Sequence, residues 1–147
     1  MRHTLETGVL HPFNDFDVAH LLQRQAEMRG DHPFLVWEPF EGDRRVWSYA
    51  EFVDATRRVA AGLQARGVKV GDRVLVHLDN CPESIFSWFG CAVAGASAVT
   101  TNARSVADEL TYYAETASVV GAITQPKFAE LVQTSTNPAF LIVTETD

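Results

Sequence analysis

Arg73-Val74-Leu75-Val76-His77-Leu78 is a nearly continuous apolar run, and Pro82 follows shortly after it. Such a run lacks the alternation of a strand with one wet face; it suits a strand covered on both faces. Pro82 suits the first turn of a helix, where its missing N–H costs nothing. The spacing predicts a helix over 82–94 with Ile85, Phe89, Ala92 and Val93 on one face. Phe86 and Trp88 fall off that face, so more than one side of this helix needs covering. It belongs either deep in a larger body or against a partner surface.

The alternation then repeats. Residues 96–101 read as a short strand, and Ser105-Val106-Ala107-Asp108 opens a helix with Leu110, Tyr113 and Ala114 inward. A strand over 119–124, a helix over 126–133 and a strand over 140–143 complete the series. Strands alternating with helices of this length imply right-handed crossovers and an α/β fold with a mostly parallel sheet. The last predicted strand lies close to the end of the chain, with no closing helix, which predicts a cut inside a domain.

Upstream, Val18, Leu21, Leu22, Gln25 and Met28 suit a helix over 16–28, capped by Asp15 or Asp17 and ended at Gly30. Phe34-Leu35-Val36-Trp37 and Arg45-Val46-Trp47 read as a hairpin around a turn at Pro39 and Gly42. Ser48-Tyr49-Ala50-Glu51 has the form of a capping box, in which serine and glutamate each satisfy a backbone N–H of the other. The helix it opens places Phe52, Val59, Ala60 and Leu63 on one face, and Gly67 is a left-handed stop. The organisation expected is an irregular segment over residues 1–15 and one α/β subdomain over residues 16–147.

At 147 residues the chain can bury roughly 68–70% of its unfolded surface, enough for a real core. Its net charge of −7 opposes nucleic acid as a partner, since phosphate affinity is built from clustered Lys and Arg. The densest basic group, Arg57, Arg58, Arg66 and Lys69, reads as a solvated helix face. No apolar run reaches transmembrane length, and the first residues lack the apolar core of a signal peptide. Cys81 and Cys91 would be separated by about 15 Å of rise on one helix, too far for a disulfide. Reduced thiols and a cytoplasmic location follow.

Patterns that carry chemistry are incomplete in this sequence. Gly90 and Gly95 have the spacing of a phosphate-binding loop, but Ala96-Ser97 follows where Lys-Ser/Thr is required. Both glycines are expected inside a helix, not between a strand and a helix, so close helix packing is the better reading. Gly95-Ala96-Ser97-Ala98 begins like a nucleophile elbow and has Val99 in place of the final glycine. The histidines at 3, 11, 20, 32 and 77 never pair at helical spacing, so no metal site is expected. His77 reads as a hydrogen-bonded core or strand-end histidine. Cys81, near a helix start where the dipole can lower a thiol pKa, lacks a visible base or oxyanion site. Asp108-Glu109 reads as complementing a helix dipole.

Trp47-Ser48-Tyr49-Ala50-Glu51-Phe52 resembles the early "L-T/S-Y-x-E-L" motif of the adenylate-forming superfamily, which includes acyl-CoA synthetases, luciferases and non-ribosomal adenylation domains. Gly71-Asp72-Arg73-Val74 resembles its "GD-R/K-V". Ala94-Gly95-Ala96 through Thr101-Asn102-Ala103-Arg104 and Glu109-Leu110 resembles its "GA-x-x-x-P-x-N-x-R … EL". The match runs over about residues 16–143 with the motifs in order. Within the superfamily, His77-Leu78-Asp79-Asn80-Cys81-Pro82-Glu83 looks most like crotonobetaine/carnitine–CoA ligases. Thr101 departs from the pattern, standing where a proline or bulky apolar residue is usual.

The resemblance implies a two-step reaction of a carboxylic acid with ATP and CoA, assisted by Mg²⁺. The family's phosphate-gripping Ser/Thr/Gly-rich loop, its ribose-binding acid and its catalytic lysine have no match among these residues. No catalytic residue is therefore carried over, no cofactor is expected bound to this chain, and the chain is expected to be inert alone. Lys127 is the single candidate for contact with a CoA phosphate.

Two other readings stay open. A free-standing α/β module could bind a partner, or a second copy, through the apolar helix with Phe86, Trp88 and Phe89. A flavodoxin-like nucleotide binder is weaker, because the turn Asp79-Asn80-Cys81-Pro82 has no glycine to admit a phosphate.

Overall fold

Ser48 shows how local chemistry sets the frame. Its Oγ accepts from the Glu51 N–H at 3.3 Å, while the Glu51 carboxylate accepts from the Ser48 N–H at 2.8 Å. This capping box ends strand β2 (Arg45–Ser48) and starts helix α2 (Tyr49–Ala65) in the same residue. Those two N–H groups would otherwise lack partners at the helix start. Strand β1 (Pro33–Trp37) pairs antiparallel with β2, as the hairpin reading expected. Helix α1 (Val18–Arg29) precedes them, with Asp17 accepting from the His20 N–H at 2.8 Å. The computed structural model describes residues 16–145, so Asp15, His3, His11 and the irregular segment expected over 1–15 lie outside the described residues.

Gly67, at φ +87°, turns the chain out of α2 and toward β3 (Arg73–His77). Helix α3 (Pro82–Val93), β4 (Ser97–Thr100), α4 (Ala107–Ala117), β5 (Gly121–Thr124), α5 (Ala129–Thr136) and β6 (Leu141–Val143) follow. The last four strands form a parallel sheet in the order β4-β3-β5-β6. The helix expected over 126–133 is divided instead. Pro126–Phe128 forms a 3₁₀ turn, and α5 begins after it and runs to a left-handed Asn137.

Both faces of β3 are dry, which is why its sequence does not alternate. Val74, Val76 and Leu78 pack with Ala60, Leu63, Cys91 and Ala94 on the α2–α3 side. Leu75 packs with Leu110, Ala122 and Val132 on the α4–α5 side. A third cluster of Leu22, Phe52 and Val53 joins α1 and the hairpin to α2 and α3. Helices α2 and α3 approach closely at Gly90, where an added Cβ would lie 2.4 Å from Val59 Cγ1. Close packing is thus the role of this glycine.

The apolar excess of α3 is largely met inside the chain. Phe86 lies edge-on to Trp47 at 5.3 Å and near Phe52 at 5.5 Å, and Phe89 meets Phe52 at 5.2 Å. The hairpin and α2 cover the second helix face that seemed to require another body. Trp88 is the large side chain of α3 left open, 56% exposed.

Candidate functional site

The order of the strands places a crevice. The chain runs from β3 through α3 to β4 on one side, then crosses through α4 to β5 on the other side of β3. Helix α3 packs on one face of the sheet and α4 and α5 on the other. The connections leaving β3 and β5 therefore diverge at their carboxyl ends, which is where open α/β sheets hold ligands.

Polar groups knit this edge together. Thr124 Oγ1 donates to the His77 carbonyl at 2.9 Å, and the Asp79 N–H donates to Gln125 Oε1 at 2.7 Å. Gln125 is 1% exposed, so its amide is built into the floor. Lys127 Nζ lies 2.6 Å from Asp79 Oδ2, joining the β5 exit to the β3 exit. A cavity of about 460 Å³ opens here among Trp37, Arg45, Asp79, Glu83, Gln125 and Lys127. A second, polar pocket of about 550 Å³ lies on the β4 side, between Leu78-Asp79-Asn80 and Thr101-Asn102-Ala103-Arg104.

His77 is fully buried and its Nδ1 lies 2.8 Å from Thr101 Oγ1, with the Phe128 ring edge-on at 4.8 Å. Burial lowers its pKa, with the Asp79 carboxylate pulling weakly in the opposite direction. It is the hydrogen-bonded core histidine the sequence implied. Cys81 caps α3, yet burial pushes its thiol up and outweighs the backbone hydrogen bond that lowers it. Burial pushes Cys91 up to about 11. Neither thiol has the depressed pKa of a nucleophile, and both are free.

Lys127 stands at the crevice mouth, as a phosphate ligand there would require, but its charge is shared with Asp79. The basic group on α2 is absorbed locally. Arg57 donates to Gln23 Oε1, Arg58 pairs with Asp54 at 3.0 Å, and Arg66 Nη1 donates to the Gly62 carbonyl at 2.9 Å. At α4, the Glu109 carboxylate accepts from the Val106 N–H at 3.2 Å, the helix-start role expected of it.

Arg104 and Gln125 were not singled out from the sequence as site residues. For Arg104 a signal existed: Asn102 two residues before it. Asn102 Oδ1 accepts from the Arg104 N–H at 2.8 Å and holds a tight turn. Arg104 is exposed and has no carboxylate within ion-pair distance among the described residues. For Gln125 there was none, because a glutamine after a strand looks like any loop residue. This edge offers hydrogen-bond donors, the ion pairs Lys127–Asp79 and Arg45–Glu83 (3.9 Å), and the exposed Arg104. Among the described residues the two cysteine thiols are both pushed up rather than depressed, and what the edge presents is a set of groups able to hold a ligand.

The match to known proteins falls on the same elements. The family described as AMP-binding enzyme matches residues 22–146. The chain belongs to the AMP-binding enzyme family. Crotonobetaine/carnitine–CoA ligases of Salmonella paratyphi A and Salmonella typhi are each 38% identical to it over 117 residues. That stretch is 77% of this chain and 23% of the relatives' length. Among solved structures, the N-terminal domain of FACL13 from Mycobacterium tuberculosis superposes with a TM-score of 0.78 at 23% identity. The overlap covers 89% of this chain and 34% of that one. A benzoate CoA ligase from Burkholderia xenovorans gives 0.76 at 21% identity, over 88% of this chain and 26% of its own. These structures share the fold of this AMP-binding family chain. No helix among its described residues is long and apolar enough to cross a membrane.

Proposed function

We propose that this AMP-binding family chain is the amino-terminal α/β part of an ATP-dependent acyl-CoA ligase. In the reaction a carboxylate attacks the α-phosphate of ATP, giving an acyl-adenylate and pyrophosphate. The CoA thiol then displaces AMP to form the thioester. Mg²⁺ supplies charge stabilisation on the phosphate oxygens. The observation that carries this reading is the 38% identity to CoA ligases over 77% of the chain. With reduced Cys81 and Cys91, the cytoplasm is the matching compartment.

Within that reaction the chain contributes scaffold and a docking edge for CoA. Lys127 and Arg104 stand at the carboxyl ends of the sheet strands, and Arg45 of the hairpin, paired with Glu83 at 3.9 Å, lines the same cavity as Lys127. Asp79 already neutralises Lys127, so a phosphate there must compete with a carboxylate. Arg104 faces no such competitor, and its planar guanidinium suits two phosphate oxygens at once. The geometry therefore favours Arg104 over Lys127. The rival reading, an interaction module with an apolar helix face, keeps only Trp88 as its motive, because Phe86 and Phe89 are packed within the chain.

Titration calorimetry and an acyl-CoA assay on the isolated chain test the reading. Mg·ATP gives no binding heat, no acyl-CoA forms, and CoA binds weakly with spectral changes centred on Arg104. Robust turnover by the chain alone would sink the scaffold role. CoA binding that Arg104→Ala leaves intact and Lys127→Ala abolishes would return the phosphate contact to Lys127.

A further inference from the structure

Thr101, the first residue after β4, has a buried partner. Its Oγ1 lies 2.8 Å from His77 Nδ1 and 3.4 Å from the Val76 carbonyl, which also accepts the Thr101 N–H at 3.2 Å. His77 Nε2 is buried with no hydrogen-bond partner among the described residues. Two neutral tautomers can be weighed. If Nε2 carried the hydrogen, a buried donor would be orphaned, which is rarer and more costly than an under-used acceptor. If Nδ1 carries it, both donors in the cluster are used. Nδ1–H donates to Thr101 Oγ1, and the hydroxyl donates on to the Val76 carbonyl. Which ring nitrogen holds the hydrogen follows from the bond the other one makes.

This relay ties the end of β3 to the first residue after β4. From that residue hangs the turn in which Asn102 Oδ1 accepts from the Arg104 N–H, and the Ser105 N–H closes onto the Asn102 carbonyl at 2.9 Å. The same turn forms the wall of the polar pocket that carries Arg104. We propose that His77 is a positioning residue: as the Nδ1–H tautomer it holds the Thr101 hydroxyl, and through it the Thr101–Ser105 turn that presents Arg104 to a phosphate of CoA. The inference rests on the reading that CoA docks at this pocket. Thr101 is then the residue that gives the buried His77 ring an acceptor for its Nδ1–H.

Ring nitrogen NMR of the labelled chain near neutral pH reads the tautomer directly. His77 is expected as Nδ1–H, although the free side chain in water prefers the other form. Thr101→Ser keeps the hydroxyl and the tautomer. Thr101→Val removes the acceptor, loses the tautomer, speeds hydrogen exchange at the Arg104 and Ser105 amides, and weakens CoA binding by about tenfold, the worth of one hydrogen bond. An Nε2–H ring in the unaltered chain overturns the proposal without any variant being made. So does Thr101→Val with unchanged amide exchange. If the unaltered chain does not bind CoA, the docking reading falls, while the tautomer and the exchange rates still decide whether His77 positions the turn.

Discussion

The α2–α3 side of the molecule and the carboxyl edge of its sheet are built on different physics. The first is held by shape: Gly90 admits Val59, and Phe52 sits with no exposure among Phe34, Phe86 and Phe89. The second is held by directed polar bonds among His77, Thr101, Asp79, Thr124 and Gln125. Packing tolerates no change of volume but is indifferent to pH. Polar ties tolerate modest changes of volume but depend on each donor finding its acceptor. A scaffold joined to a ligand-holding edge divides its labour in this way.

Phe52→Ala should break the packed side hardest. Emptying a fully buried aromatic site costs about 3–5 kcal/mol, against a total stability of about 5–15 kcal/mol. Urea denaturation followed by tryptophan fluorescence reads this, and a loss below about 1 kcal/mol would mean the cluster is loosely packed. Gly90→Ala comes next and has two opposing terms. Alanine gains about 1 kcal/mol of helix propensity over glycine, but its Cβ would sit 2.4 Å from Val59 Cγ1. Overpacking costs about 1–3 kcal/mol, so the variant should be net destabilised. Adding Val59→Ala should restore part of the loss. If Gly90→Ala is stabilising by itself, Val59 yields to the added methyl and the contact between the two helices is not tight.

The packed side was far more legible in the sequence than the edge. Ser48 with Glu51, Gly67 and Pro82 state their roles within a few residues, since caps and stops are local chemistry. The unbroken apolar run of β3 announced a doubly covered strand for the same reason. The cover on Phe86 was not legible, because Trp47 lies far from it in sequence and the contact exists only after the hairpin folds over α3. The same holds at the edge. Asp79 meets Gln125 across 46 positions and His77 meets Thr101 across 24, so no local pattern encodes either pair. Lys127 was visible as a charge after a strand, but its ion pair with Asp79 was not. Arg104 stood inside a motif read as ancestry, and only the pocket around it gives it a use.

The smallest expected effect concerns acid, and it separates the two regions most cleanly. Burial lowers the His77 pKa from 6.5, and Asp79, the charged group facing it across the β3 exit, only partly offsets this. Thr101 and Phe128, its other neighbours, carry no charge. Well above 6.5 the ring is neutral in both folded and unfolded chains, so its titration contributes no pH dependence. As pH falls through 6.5 the unfolded chain takes up a proton that the folded chain resists, so stability declines with falling pH until the folded pKa is passed. Asp17 and Glu51, whose carboxyls are held low by their helix-cap hydrogen bonds, act in a lower window, below 3.8 and 4.5 respectively. Asn at 77 keeps an amide near the Nδ1 position and does not titrate. His77→Asn should therefore lower stability at neutral pH yet flatten its decline between neutrality and the carboxylate window, as read by urea midpoints at a series of pH values. Phe52→Ala, which touches only packing, should shift the whole curve and leave its slope alone. If His77→Asn leaves the slope unchanged too, burial does not hold the His77 ring neutral in the folded chain, and the decline below neutrality comes from other groups.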